Sequence, residues 1–167
     1  MKRLMGLVLL VALFAAIGIG IRTFGISTVR ISGTSMNDTL LSGDVVLVTR
    51  FDYLGNQAPK RAEVVNCAFE NRTGTYVKRV IGLPGERIAY EGGQLNVNGR
   101  PVSEPYTGSQ TEDFHITLGD NEYFVMGDNR SDSYDSRAAD MGPIGAEAFL
   151  GRVRWILWPL DRFGPVQ

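Results

Sequence analysis

Hydrophobic and polar positions divide the chain into one long apolar run followed by many short alternating ones. The run Leu4 to Ile21, LMGLVLLVALFAAIGIGI, carries no charge. As a helix rising ~1.5 Å per residue it is ~27 Å long, close to the thickness of a bilayer's hydrocarbon core. Gly18-Ile19-Gly20 has the small residues of a secretory cleavage site, but the run exceeds the ~7–15 apolar residues of a cleavable signal. It therefore reads as a transmembrane anchor. Lys2 and Arg3 in front of it favour an N-terminus in the cytoplasm, with Arg22 and Arg30 weakening that bias from the other flank. The expected organisation is residues 1–22 as cytoplasmic tip and anchor and residues 23–167 as an extracytoplasmic domain.

Beyond the anchor the period is two. Thr28 to Ile31, Val45 to Val48, Glu63 to Phe69, Thr75 to Ile81, Arg87 to Tyr90, Gln94 to Val97, Glu122 to Met126 and Arg152 to Leu157 are strand candidates, rich in β-branched and aromatic residues. Glu91-Gly92-Gly93 and Asn98-Gly99 between such runs are hairpin signals, the second suited to a type I′ turn. SGTSMNDTLLSGD, between the first two strands, reads as a loop. Gly145 to Phe149 is the best candidate for a short helix. The pattern predicts an all-β, curled antiparallel, barrel-like domain behind one N-terminal transmembrane helix.

Composition removes several function classes. All 18 acidic residues lie beyond the anchor and no Lys/Arg run exists, so there is no electrostatic footprint for nucleic acid. Cys67 is the only cysteine, which excludes an intramolecular disulfide and a thiolate metal cluster. His115 is the only histidine and lies in a segment that reads as an exposed strand edge, which excludes a two-His metal motif.

Lysine is scarce: Lys2, Lys60 and Lys78 stand among 17 basic residues. Lys78 shares a strand face with Tyr76 and Val80, so an inward face would bury its amine. Burial lowers a lysine's pKa, as a general base requires and as arginine cannot provide. A surface lysine on an edge strand fits the pattern as well. Ser35, in Gly33-Thr34-Ser35-Met36, is a candidate nucleophile, since Ser beside a neutral Lys is a known nucleophile–base pair; a plain Ser-rich turn is the alternative. Gly127 to Arg137, GDNRSDSYDSR, packs carboxylates, hydroxyls and guanidiniums into one loop. Counted from Asp128 it lacks the glycine and the final glutamate of a calcium-binding EF-hand, so a polar network bracing a neighbouring site fits better.

In order along the chain, SGTSMNDTLLSGDVVLV, YVKRVIGLPGE, GDNRSDSYDSR and the closing GRVRWILWPL are similar to the boxes of the bacterial type I signal peptidases, in the compact variety common in Gram-positive bacteria. The resemblance covers nearly everything after the anchor. It implies a membrane-bound Ser/Lys endopeptidase that removes signal peptides from exported preproteins after small residues, typically in an Ala-x-Ala pattern. Ser35 would attack and Lys78 would take its proton, while Ser133 would hold the lysine amine. Asp128, Arg130, Asp135 and Arg137 would shape the site. The Ser35 N–H would stabilise the oxyanion, and the family's second donor position falls on Gly33, which has no hydroxyl.

Ile31, Met36, Leu40, Tyr76 and Val77 would line shallow substrate pockets. Asp38 stands where the family motif has proline, a loss expected to loosen the turn. Partners would be signal-peptide-bearing preproteins and the lipid bilayer, with no metal or organic cofactor, and the chain would sit in the cytoplasmic membrane facing outward. Trp155, Trp158 and Phe163 are expected to pack in the core, with contact to the membrane interface as the alternative. A dedicated single-substrate Ser/Lys peptidase and a catalytically silent tethered β domain for surface-protein or pilus assembly stay open.

Overall fold

The structure, a computed structural model, describes residues 2–53 and 57–167, with side chains described at 5–16, 18–20, 25–53 and 57–167. Helix α1 spans Lys2–Phe24. Its side chains from Met5 to Ala16 are exposed. Among the described residues no helix is long and apolar enough to cross a membrane. The crossing expected over Leu4 to Ile21 draws partly on side chains outside that description.

Among the described residues eleven strands follow: β1 Ile26–Arg30, β2 Val45–Thr49, β3 Val64–Cys67, β4 Tyr76–Gly82, β5 Arg87–Glu91, β6 Gln94–Val97, β7 Arg100–Pro101, β8 Phe114–Thr117, β9 Phe124–Met126, β10 Phe149–Trp158 and β11 Gly164–Pro165. Every pairing is antiparallel. The first sheet runs β1-β2-β10-β3-β4-β9, with β11 on β10, and the second runs β7-β6-β5-β8. These are two open sheets, and among the described residues no strand closes either into a barrel. Ala146–Ala148 forms a single 3-10 turn inside the segment expected to be helical.

The alternation that foretold the strands is visible in burial. In β10 the positions Phe149, Gly151 and Val153 are buried and those between are half exposed, the mark of a strand with one face on the core. Strand β4 is different, because Lys78–Gly82 are all buried. It lies between β3 and β9 and is packed on both faces, so its sequence reads as a nearly continuous apolar run around two basic residues. Both hairpins turn through positive φ, at Gly92-Gly93 and at Asn98-Gly99, where the register Glu91↔Gln94 and Val97↔Arg100 leaves two-residue loops.

Among the described residues three apolar clusters fill the domain. One under β1, β2 and β10 includes Ile31, Met36, Leu40, Val46 and Val153. One between β3, β4 and the 141–149 segment includes Val65, Cys67, Val80 and Phe149. The third joins the two sheets, with Ile88 and Leu95 of the second against Ile81 of β4 and Phe124 of β9 in the first. Trp155, Trp158 and Phe163 belong to none of them: Trp158 is 54% exposed, and Trp155 and Phe163 lean on each other at the surface. The core packing expected for these rings is therefore wrong, because the β10–β11 pair turns that face outward rather than onto a layer.

Candidate active site

Ser35 sits in the loop between β1 and β2. Two backbone bonds close the base of that loop, Ile31 N–H to Asp44 O and Gly43 N–H to Ile31 O. Met36 and Leu40 anchor it in the core. Between them the chain turns tightly, with Asn37 N–H donating to Thr34 O and Leu40 N–H to Met36 O. Gly33 adopts φ +94°, a conformation that an L side chain enters only with strain, so the lack of a hydroxyl there follows from the backbone path. Among the described residues the Ser35 N–H has no intramolecular acceptor.

Asp38 requires a correction. Its φ is +85°, in the left-handed region, whereas a proline ring holds φ near −65°. The loop follows a path that proline cannot take. The Asp38 carboxylate accepts the Gly108 N–H at 3.3 Å and thereby ties this loop to the second sheet's connection.

Lys78 is 2% exposed, on the face of β4 expected from the strand period. Its Nζ donates to Ser133 Oγ at 3.0 Å, and Ser133 Oγ donates in turn to Asp135 Oδ2 at 2.6 Å. Burial pushes the Lys78 pKa below the ordinary lysine value, and nearby Asp135 only partly opposes it. For Asp135, burial pulls upward, but hydrogen bonds from Arg137, Ser133 and the Gly127 N–H outweigh it and hold the carboxylate below its usual range. The same burial pushes the Cys67 thiol up to about 12, which leaves it an inert apolar neighbour of the lysine.

Ser35 and Lys78 meet as walls of one cleft of about 220 Å³, lined also by Val29, Ile31, Gly33, Met36, Tyr76 and Val77. Leu40 does not reach it and is fully buried beneath the loop. Strand β9 pairs with β4 only from Arg79 onward, so the Tyr76–Lys78 half of β4 carries an unpaired edge beside the cleft.

The supporting residues form one network. Arg79, opposite in facing to Lys78, makes a bidentate pair with Asp128 through Nε at 2.8 Å and an Nη at 2.6 Å, both side chains fully buried. Arg130 donates from Nε to Gly127 O and forks onto Glu104. Arg137 forks onto Asp135 and reaches Ser133 O and Arg130 O. Asn129 N–H donates to Ser35 O at 3.1 Å, which ties this loop to the loop carrying Ser35. Gly127 is demanded by that approach: a Cβ there would overlap both the Ser133 Oγ and the Ser35 carbonyl oxygen.

Arg79, Glu104 and Tyr106 belong to the network and escape a reading of the sequence. Arg79 could have been suspected as the inward residue on the opposite face of β4; Glu104 and Tyr106 sit in an irregular connection with no pattern to mark them. His115 lies on the exposed second sheet beside Glu91, away from the cleft. Among the described residues no three His, Cys, Asp or Glu side chains converge as metal ligands would.

Comparison with known proteins follows the same outline. The family model described as "Signal peptidase, peptidase S26" matches residues 2–158. A signal peptidase I of Bacillus caldolyticus is 36% identical, over 86% of this chain and 85% of its own. Signal peptidase IB of Staphylococcus aureus is 34% identical, over 84% of this chain and 82% of its own. The crystal structure of a signal peptidase I from Enterococcus faecalis superposes with a TM-score of 0.51 at 30% identity, covering 56% of this chain and 95% of that one.

Proposed function

The chain belongs to the signal peptidase family, peptidase S26, and is a serine peptidase; from that premise we propose that it cleaves signal peptides from exported preproteins with Ser35 as nucleophile and Lys78 as general base. The observation that carries this reading is the buried Lys78 amine in the wall of the cleft that holds Ser35. Neutral at a lower pH than an exposed lysine, it can accept the hydroxyl proton as Ser35 Oγ attacks the scissile carbonyl, then deliver it to the leaving amine. Ser133 holds the amine in place, and Asp135 and Arg137 hold Ser133. The Ser35 N–H faces the developing oxyanion. At Gly33 any second donor comes from backbone or water.

The substrate lies extended between β1 and the unpaired half of β4, gripped through its backbone as an added strand. Apolar walls at Ile31, Tyr76 and Val77 and a small cleft volume favour small side chains before the cut and exclude larger ones. The apolar helix α1 is read as the anchor that holds the site at the outer membrane surface, where a cleavage region emerges.

The test is incubation of the detergent-solubilised chain with a preprotein carrying an Ala-x-Ala site, beside Ser35→Ala and Lys78→Ala, with the cut located by mass spectrometry. Cleavage after the second alanine by the wild type alone is the expected result. Cutting by all three proteins removes both residues from the mechanism, and cutting by none favours a dedicated substrate or an assembly role.

A further inference from the structure

The connection between β7 and β8 reaches four supports of the site, Arg79, Asp128, Arg130 and Arg137, yet neither Ser35 nor Lys78. From this segment Glu104 accepts the Arg130 fork, with Oε1 to an Nη at 2.5 Å and Oε2 to the other at 3.1 Å. Thr107 Oγ1 donates to Asp128 O at 2.5 Å, and Ser109 Oγ donates to the same carbonyl at 3.3 Å. Gly108 N–H reaches Asp38, and Thr111 Oγ1 accepts from Arg137.

At its centre the Tyr106 ring lies against the Arg79 guanidinium, 3.9 Å from carbon to ring centroid, with the Arg130 guanidinium 6.0 Å from the same ring. The Tyr106 hydroxyl donates to Glu104 Oε1 at 3.1 Å. We propose that Tyr106 is a positioning residue for the peptidase reaction, its ring holding Arg79 against Asp128 and so fixing Lys78 on one side and Ser35 on the other. The proposal rests on the Ser35/Lys78 reading above.

The geometry gives the ring this role. Arg79 directs four of its five N–H donors to Asp128, Ala62 O and Thr39 Oγ1, which leaves the faces of the guanidinium to be covered in a buried place. An aromatic face does this while attracting the charge, and an aliphatic side chain covers it without that attraction. Arg79 follows Lys78 directly on β4. Its carboxylate partner belongs to Gly127-Asp128-Asn129, the segment whose ends take up Arg130 Nε and the Ser35 carbonyl. Loosening the ring contact therefore shifts both reacting side chains at once.

Tyr106→Leu keeps apolar bulk and removes the π face; Tyr106→Phe keeps the face and removes the hydroxyl. Measured in the full-length solubilised chain on an Ala-x-Ala peptide, Tyr106→Leu should lose about 10²-fold in kcat while KM stays within about threefold, as expected when remote support lets reacting groups drift by ~1 Å. Tyr106→Phe should keep kcat within about twofold. The acid limb of the Tyr106→Leu rate profile should also move to higher pH, since a β4 and a 127–129 segment no longer pinned through Arg79 let solvent reach the Lys78 amine from the cleft and restore its ordinary basicity. The groups facing that amine are Asp135, Cys67, Arg137 and Asp128, none of them on the 104–111 segment, so a moved midpoint reports packing rather than a lost charge.

A folded Tyr106→Leu enzyme with wild-type kcat and midpoint overturns the proposal, as does equal loss in the phenylalanine variant. Should the leucine variant not fold, Thr107→Val with Ser109→Ala removes two of the three hydrogen bonds to the Asp128 carbonyl: about tenfold loss in kcat supports the clamp and wild-type kcat overturns it. Ser35→Ala and Lys78→Ala run alongside; activity in either sinks the underlying reading instead.

Discussion

At Asp38 one backbone angle distinguishes the loop that carries Ser35 from a proline-containing one. With φ at +85° the residue is in a region that Asp and Asn enter more readily than most non-glycine residues, and its carboxylate recovers part of the strain by accepting the Gly108 N–H. Restoring a proline should then harm rather than tighten the loop. Asp38→Pro is expected to lose more than about 1 kcal/mol of unfolding free energy, and Asp38→Gly to stay within about 0.5 kcal/mol of the wild type, read from denaturant midpoints at constant m. A proline variant as stable as the wild type would mean that the turn relaxes freely. The sequence exposes the odd residue at this position but not its φ, because the choice between turn types was made by the tie to the 104–111 segment, seventy residues away.

Gly127 shows how elements are brought together by a single missing side chain. Strand β9 ends at Met126, and the next residue passes between the Ser133 hydroxyl and the Ser35 carbonyl with no room for a Cβ. Gly127→Ala should push the 127–129 segment off the Ser35 loop and lengthen the Lys78–Ser133 contact. The expected outcome is a loss on the order of 10²-fold in kcat with circular dichroism unchanged, whereas a fully active variant would show the approach to be slack. Most strands were legible because alternation records which face is buried, and even β4, buried on both faces, was bounded by its β-branched run. From its residues alone the network around Asp128, Arg130, Asp135 and Arg137 was legible as a polar loop, and only the resemblance named these four as supports of the site. Its partners Glu104 and Tyr106 lie in a connection without period or motif, and contact across tens of residues leaves no local trace.

Across the whole molecule two open sheets meet at the site: the first supplies Ser35 and Lys78, and the second, through its 104–111 connection, holds their supports. The barrel-like curl expected from the sequence reflects strand content, which alternation reveals, and not sheet closure, which depends on the registers of strands far apart. Trp158 and Phe163 stand exposed near the β10–β11 end of the first sheet. All of these features converge on the protonation state of one buried amine. The pH dependence of kcat/KM for an Ala-x-Ala peptide tests that most directly. With its folded pKa lowered, Lys78 loses its proton at a lower pH than a free lysine, so the rate should rise with pH through a midpoint clearly below the usual ~10.4 and vanish in Lys78→Arg. A rate that is flat in pH and retained by Lys78→Arg would contradict the assignment of Lys78 as the base.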